Sequence, residues 1–380
     1  LLSVLGLLIL LASSSSGNLF FRFLVIAALG AGVYMIRERK ALMNTIILSV
    51  TLLIIGYSSF LLIIIRSNAD TPINENEPDD AVSLLSYLNR EQYGSTPIFH
   101  GPYYNAPIVD YEDKEPIYEK DKEKGKYVIT DDRKGTVPVY DSDFTTIFPR
   151  MWSNQKQKHI RAYKQWADVE GVPIKHENAR GKTEVINKPT FGENLKFFFK
   201  YQVGHMYFRY FMWNFVGRQN NIQGHGNIEH GNWKSGIGAI DDARLGEQKN
   251  LPESKKNPAD NTFYFLPLIF GLIGLLYHVQ KKPPDALIVG MLFVMTGLAI
   301  VVYLNQYPYQ PRERDYAYAG SFYAFAIWIG LSIIALFNGL RKVLKNQKIS
   351  AIAVTVAGVL LVPTIMAVEG WDTHDRSGKY

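Results

Sequence analysis

Residues 263–304 read FYFLPLIFGLIGLLYHVQKKPPDALIVGMLFVMTGLAIVVYL, two long apolar runs parted by one short basic turn. Apolar runs of about 18 to 25 residues are long enough to cross a bilayer's hydrocarbon layer as helices. The runs Phe263 to Val279 and Ala286 to Leu304 therefore read as a membrane hairpin with Lys281 and Lys282 at its bend. Working outward, the pattern recurs at Leu1 to Ala12, Leu19 to Ile36 and Leu42 to Ile65, and again at Phe322 to Phe337 and Ile349 to Val368. Seven crossings are expected. The first is incomplete, because the chain opens inside an apolar run without an initiator methionine, and the closing string EGWDTHDRSGKY reads as the start of a truncated region.

Positive residues near helix ends resist translocation and so mark the cytoplasmic loops. Arg37, Arg39 and Lys40 join the second and third crossings, Lys281 and Lys282 the fourth and fifth, and Arg341, Lys342, Lys345 and Lys348 the sixth and seventh. These loops fall on one side only if residues 66–261 contain no net crossing. The large polar insert is then outside, together with the SSSSGN turn, residues 305–321 and the tail after Val368. The expected fold class is mainly α, a polytopic α-helical membrane protein with a mixed α/β extracytoplasmic insert. Its blocks are 1–65, 66–261, 262–368 and 369–380, and its expected location is the bacterial inner membrane.

Whole-chain averages hide this division. With 47% hydrophobic residues and a net charge of +6, the composition alone would pass for a basic soluble protein. Much of the excess charge lies in short loops between apolar runs, where topology accounts for it, so nucleic acid is not an expected partner. The absence of cysteine excludes disulfides, thiolate metal sites and cysteine nucleophiles within this stretch.

Within the insert, Pro78 to Tyr93 reads as an amphipathic helix with Val82, Leu84, Leu85 and Leu88 on its apolar side. The runs YVIT and VPVY, separated by DDRKGT, read as the two arms of a hairpin. Residues 155–168 read as a basic surface helix. Thr190 and Glu193 form a capping box opening a long aromatic stretch near 191–217. As a crossing, that stretch would carry Lys196, Lys200, His205 and Arg209 through the bilayer and swap the positive loops. A helix lying in the interface avoids this, and an aromatic core helix of the outer domain is the alternative.

The crossings are almost free of charge. Arg22 is the exception and can snorkel to the outer headgroups. Chemistry is therefore expected at the outer surface, where NQYPYQPRERDYAYAGSFYAF joins the fifth and sixth crossings. Arg presents a planar fork of donors suited to phosphate oxygens, so Arg312 or Arg314 could grip a lipid phosphate, with Glu313 and Asp315 orienting them. A self-paired surface loop is the plainer reading. Two residues apart in an extended segment, the two arginines point opposite ways, so one of them faces the ligand. Arg66, past the outer end of the third crossing, either anchors that helix or joins the same site, with Asn74 and Glu75 near a sugar. His225, Glu229 and His230 fall within six residues of one another in a glycine-rich loop. Their spacing is not that of HExxH, and a structured loop is favoured over a metal site.

The strings SLLSYLNREQYG, FFFKYQVGHMYFRYFMWNFVGRQNNIQG and YPYQPRERDYAYAGSFYAFAIWIG resemble those of the protein O-mannosyltransferase-like membrane proteins. The resemblance extends over essentially the whole chain. It implies a multi-pass glycosyltransferase of the GT-C type, moving a sugar, mannose by the resemblance, from a polyprenyl-phosphate carrier to a protein hydroxyl. Such enzymes carry an essential acidic residue in the first outer loop, which here would precede Leu1, so no catalytic base is assigned within the chain. The resemblance implies the bilayer, a lipid-linked sugar and a protein acceptor as partners, and no cofactor beyond the donor. Two rivals stand beside it. A flippase for the lipid-linked sugar needs a polar membrane cavity that the smooth crossings scarcely provide. A non-catalytic assembly component would use the insert as a docking surface.

Overall fold

The computed structural model describes residues 34, 39–69, 71–74, 76–89, 96–113, 117–121, 124–131, 136–177, 181–344, 346–375 and 377. The expected crossings Leu1 to Ala12 and, apart from Tyr34, Leu19 to Ile36, with Arg22 and Arg37, lie outside these residues. So do Glu75, Lys345 and the last residues of the tail.

Four described helices are long and apolar enough to cross a membrane: Lys40–Ser67, Pro283–Leu304, Asp315–Leu344 and Gln347–Trp371. A shorter apolar helix, Leu266–Lys281, lies where the fourth crossing is expected. The molecule is mainly α, with small two-stranded sheets in the insert.

The chain divides into two compact units. Residues 1–95 and 115–135 form the first, and residues 96–114 and 136–380 the second. Most of residues 66–261 fall in the second unit, with the second group of apolar helices.

In the first unit, Lys40–Ser67 is exposed along nearly its whole length, as a helix made to face an apolar solvent would be. The helix expected over 78–93 is described over Ala81–Asn89, and residues 90–93 lie outside the described residues. Asp80 caps it by accepting from the Val82 and Ser83 amides at 2.7 and 3.0 Å, and Leu85 and Leu88 are exposed. The expected hairpin does not form. Lys126–Asp131 pairs with Ile117–Asp121, whereas Thr136–Tyr140, in the second unit, pairs with Ile108–Asp113. Each run pairs with a strand that precedes it, and the 117–131 pair lies in sequence between the two strands of the other.

In the second unit, Leu266–Lys281 and Ala319–Leu344 pack in parallel. Gly271 meets Phe325, Gly274 meets Trp328, and the Asn338 amide donates to the Tyr277 hydroxyl at 3.0 Å. Parallel packing brings Lys281, Lys282, Arg341 and Lys342 to one end. Close approach rests on glycine: a Cβ on Gly274 would overlap the Trp328 carbonyl oxygen. Pro283–Leu304 runs antiparallel to this pair, with Phe293 against Phe325 and Trp328 and Thr296 beside Gly320. It breaks at Gly297, where the Tyr207 hydroxyl meets Ser321 Oγ at 2.6 Å.

Over the end remote from the lysines lies the aromatic helix, which supplies most of the unit's core. Thr190 and Glu193 form the expected capping box. The helix runs α over Phe191–Phe197, π over Phe198–Phe208 and α again over Arg209–Phe215. Phe197, Tyr201, Met206, Tyr207, Tyr210 and Trp213 join one core cluster, and Phe211, Met212 and Phe215 join a second with Phe325 and Trp328. The aromatic side chains thus pack mainly inward, as the core alternative describes, while Phe199 and Phe208 stay exposed. The helix expected over 155–168 forms as Gln157–Ala167. It buries His159, Ala162, Tyr163 and Ala167 and leaves Lys158, Arg161 and Lys164 outside.

Candidate functional site

Three segments meet above the second unit's apolar helices: the aromatic helix, the glycine-rich stretch 217–231 and the loop 305–318. Asn305 fixes where the loop begins. It ends the Leu298–Leu304 helix in the left-handed region and is fully buried. Its Nδ2 donates to the Pro97 and Pro149 carbonyls at 2.6 and 2.8 Å, and its Oδ1 accepts from Gln202 Nε2 at 3.0 Å. Arg150, also fully buried, donates to the Val302 carbonyl at 3.0 Å and to Ile98 at 2.9 Å, placing its charge at the negative end of that helix. No carboxylate pairs with it among the described residues, and burial alone pushes its pKa down to about 10.

Glu313 fixes where the loop ends. Arg209 grips it with both terminal nitrogens, at 3.2 and 2.8 Å, the Tyr210 hydroxyl donates to it, and the Gly224 amide donates at 2.9 Å. Arg209 also donates to the Gly231 carbonyl at 2.6 Å, so one guanidinium ties together all three segments. Burial by itself would raise the Glu313 carboxyl. The Arg209, Tyr210 and Gly224 donors outweigh it and hold the carboxyl below its ordinary range. His205 lies beside this clamp, ringed by Trp166 and Tyr201, with its Nε2 3.1 Å from the Gly224 carbonyl. Burial, then the charge of Arg209, pushes its pKa down to about 3.

Glu313 accepts from Arg209, Tyr210 and Gly224, and among the described residues neither it nor Asp315 forms an ion pair with Arg312 or Arg314. The two arginines differ in exposure. Arg312 is exposed, its guanidinium 5.5 Å from the Tyr316 ring centre. Arg314 is half-buried, with a buried Nε that finds no hydrogen-bond partner. Its amide donates to the Tyr210 hydroxyl at 3.2 Å, which couples its backbone to the clamp. Tyr309, in the left-handed region at φ 60°, lies between His225 and Lys158, at 4.8 and 5.1 Å.

The remaining candidates within the second unit do not converge. Glu229 pairs with Lys255 at 3.0 Å, and His230 meets Asn227 at 2.9 Å, so His225, Glu229 and His230 face different partners. Among the described residues no cluster of metal-ligating side chains forms. Arg66 is exposed and belongs to the first unit. Asn74 is engaged at the end of the same helix, exchanging hydrogen bonds with Ser67 at 3.1 Å.

Arg218 is the residue that sequence reasoning missed most plainly. It borders a cavity of about 350 Å³ that Trp213, Asn214, Asp315, Trp371 and His374 also line. It follows Gly217, whose φ of 131° and closeness to the Lys234 carbonyl leave no room for a side chain. An arginine three residues past a run of buried aromatics was the available signal. No curated protein and no solved structure matches the chain. Residues 94–199, which include the Gln157–Ala167 helix and the start of the aromatic helix, match the model of a family of unknown function, DUF8416.

Proposed function

We propose that this chain is the donor-binding part of a membrane glycosyltransferase, moving a sugar from a polyprenyl-phosphate carrier to a protein Ser/Thr hydroxyl outside the membrane. The observation that carries this reading is Arg314, a half-buried guanidinium with an unsatisfied Nε and no carboxylate partner among the described residues. It stands at the end of the apolar helices, on a loop locked by Asn305 at one side and Glu313 at the other. A fixed cation at that level suits charge building on a departing phosphate. In the transfer, the bond from sugar C1 to phosphate oxygen breaks as the acceptor oxygen bonds to C1. The acceptor's proton passes to the acidic residue that the family resemblance implies for the first outer loop of such enzymes.

The test offers polyprenyl-phosphate-mannose and a Ser/Thr acceptor peptide to the full-length protein in membranes. Arg314→Ala is expected to slow transfer by about 100-fold, the scale seen when one charge-stabilising donor is removed. Arg312→Ala, with its exposed guanidinium, is expected to retain most activity. Unchanged transfer in both variants removes the phosphate assignment. No transfer from any lipid-linked sugar favours the docking role.

A further inference from the structure

The cavity beside Asp315 carries two charges that the transferase reading does not use. Arg218 spends its Nε on the Ala259 carbonyl at 3.3 Å and lies 5.5 Å from the Trp213 ring centre. Among the described residues its terminal nitrogens have no hydrogen bond or ion pair. The same is true of the Asp315 carboxylate. The two are too far apart for a salt bridge, yet close enough for Asp315 to favour the charged form of Arg218.

A simple anion drawn to Arg218 would be repelled by Asp315, and a simple cation would meet the reverse. A zwitterion with opposite charges a few bonds apart satisfies both. The surroundings set the depth at which it is met. Trp371 and His374 stand at the end of the Gln347–Trp371 apolar helix, and Phe263, Met366 and the Asn214 and Asn261 amides also line the wall. Trp is enriched where a crossing leaves the hydrocarbon, and a basic pocket between such helices suits a lipid headgroup. Aromatic faces also attract an ammonium. The volume falls within the range of small-ligand sites.

We propose that this cavity is a headgroup site for an ethanolamine phospholipid, with Arg218 holding the phosphate and Asp315 accepting hydrogen bonds from the primary ammonium. A trimethylated ammonium has no N–H to donate, and a glycerol headgroup has no positive charge. The site thus separates three common headgroups by chemistry alone. Binding is read with no sugar donor present, so it stands or falls apart from the transferase activity.

The full-length protein in detergent is titrated with short-chain phosphatidylethanolamine, phosphatidylcholine and phosphatidylglycerol, and bound lipid is counted by native mass spectrometry. Free phosphoethanolamine is run as a separate arm. The ethanolamine lipid is expected to bind at least about tenfold more tightly than the other two. Asp315→Asn should erase that preference, and Arg218→Gln should weaken all three. Arg218→Lys, which keeps the charge and loses the fork, should fall between and serves if the Gln variant does not fold. Equal retention of the three lipids overturns the proposal, as does a preference that survives Asp315→Asn. Binding of free phosphoethanolamine without binding of its lipid overturns the membrane assignment.

Discussion

A guanidinium buried among aromatic rings needs an anion, and Glu313 is the anion the fold brings to Arg209. The Arg209 side chain is 6% exposed and that of Glu313 17%, so removing one partner strands a charge. Glu313→Gln is expected to destabilise the protein by about 3–5 kcal/mol, measured by denaturant unfolding in detergent. A loss below about 1 kcal/mol would mean that the clamp is not structural. His205 gives the pH dependence. Its folded pKa, about 3, lies below its ordinary 6.5, so protons favour the unfolded chain. Its contribution is complete above pH 6.5 and is lost as pH falls toward 3, by up to about 1.4 kcal/mol per unit. His205→Gln should flatten the stability profile between pH 6.5 and 5, and a wild-type slope retained in the variant would assign the effect elsewhere.

At the scale of elements, the apolar helices were legible because length and hydropathy alone specify them; most described ones begin and end within a few residues of the expected runs, whereas Asp315–Leu344 extends well past Phe322 to Phe337 at both ends. The aromatic stretch was legible as a helix but not in its facing. Its buried positions 197, 202 and 207, and likewise 201, 206 and 211, recur at five, the π repeat, and a 3.6-residue reading scatters them around the helix. The hairpin expected from YVIT and VPVY was misassigned for a different reason: alternation marks a strand but not its partner. The true partner of VPVY, Ile108–Asp113, is exposed at every position although it carries Ile108, Val109 and Tyr111, so burial does not mark the pairing either. The helix packing yields its own prediction. Gly274→Ala places a methyl group against the Trp328 backbone and should lower thermal stability in detergent. Gly290→Ala and Gly330→Ala, which meet nothing within 4 Å, should be neutral or slightly stabilising. Equal behaviour of all three would mean that the helices do not approach at Gly274.

For the whole molecule, the sequence located the loop carrying Arg312 to Asp315 but not what each charge does there, because the partners that decide it, Arg209 and Arg218, are about a hundred residues distant in the chain. What it did mark is an end-to-end polarity, and the second unit gives this a geometric form. Parallel packing gathers Lys281 and Lys342 at one end of the bundle, while Arg209 and Glu313 bind the insert to the 305–318 loop at the other. The native chain has no cysteine, so single cysteines report without background. Placed at Lys281 and Lys342, both exposed, they should react with an impermeant maleimide from the same face of sealed vesicles. Placed at Arg312 and Lys158, they should react only from the opposite face, and the lysine pair should be the cytoplasmic one. Lys281 and Lys342 labelled from different faces would break the parallel pair. Arg312 sharing a face with Lys281 would mean that the bundle does not cross, and a phosphate site at the outer headgroups would then have no membrane to stand in.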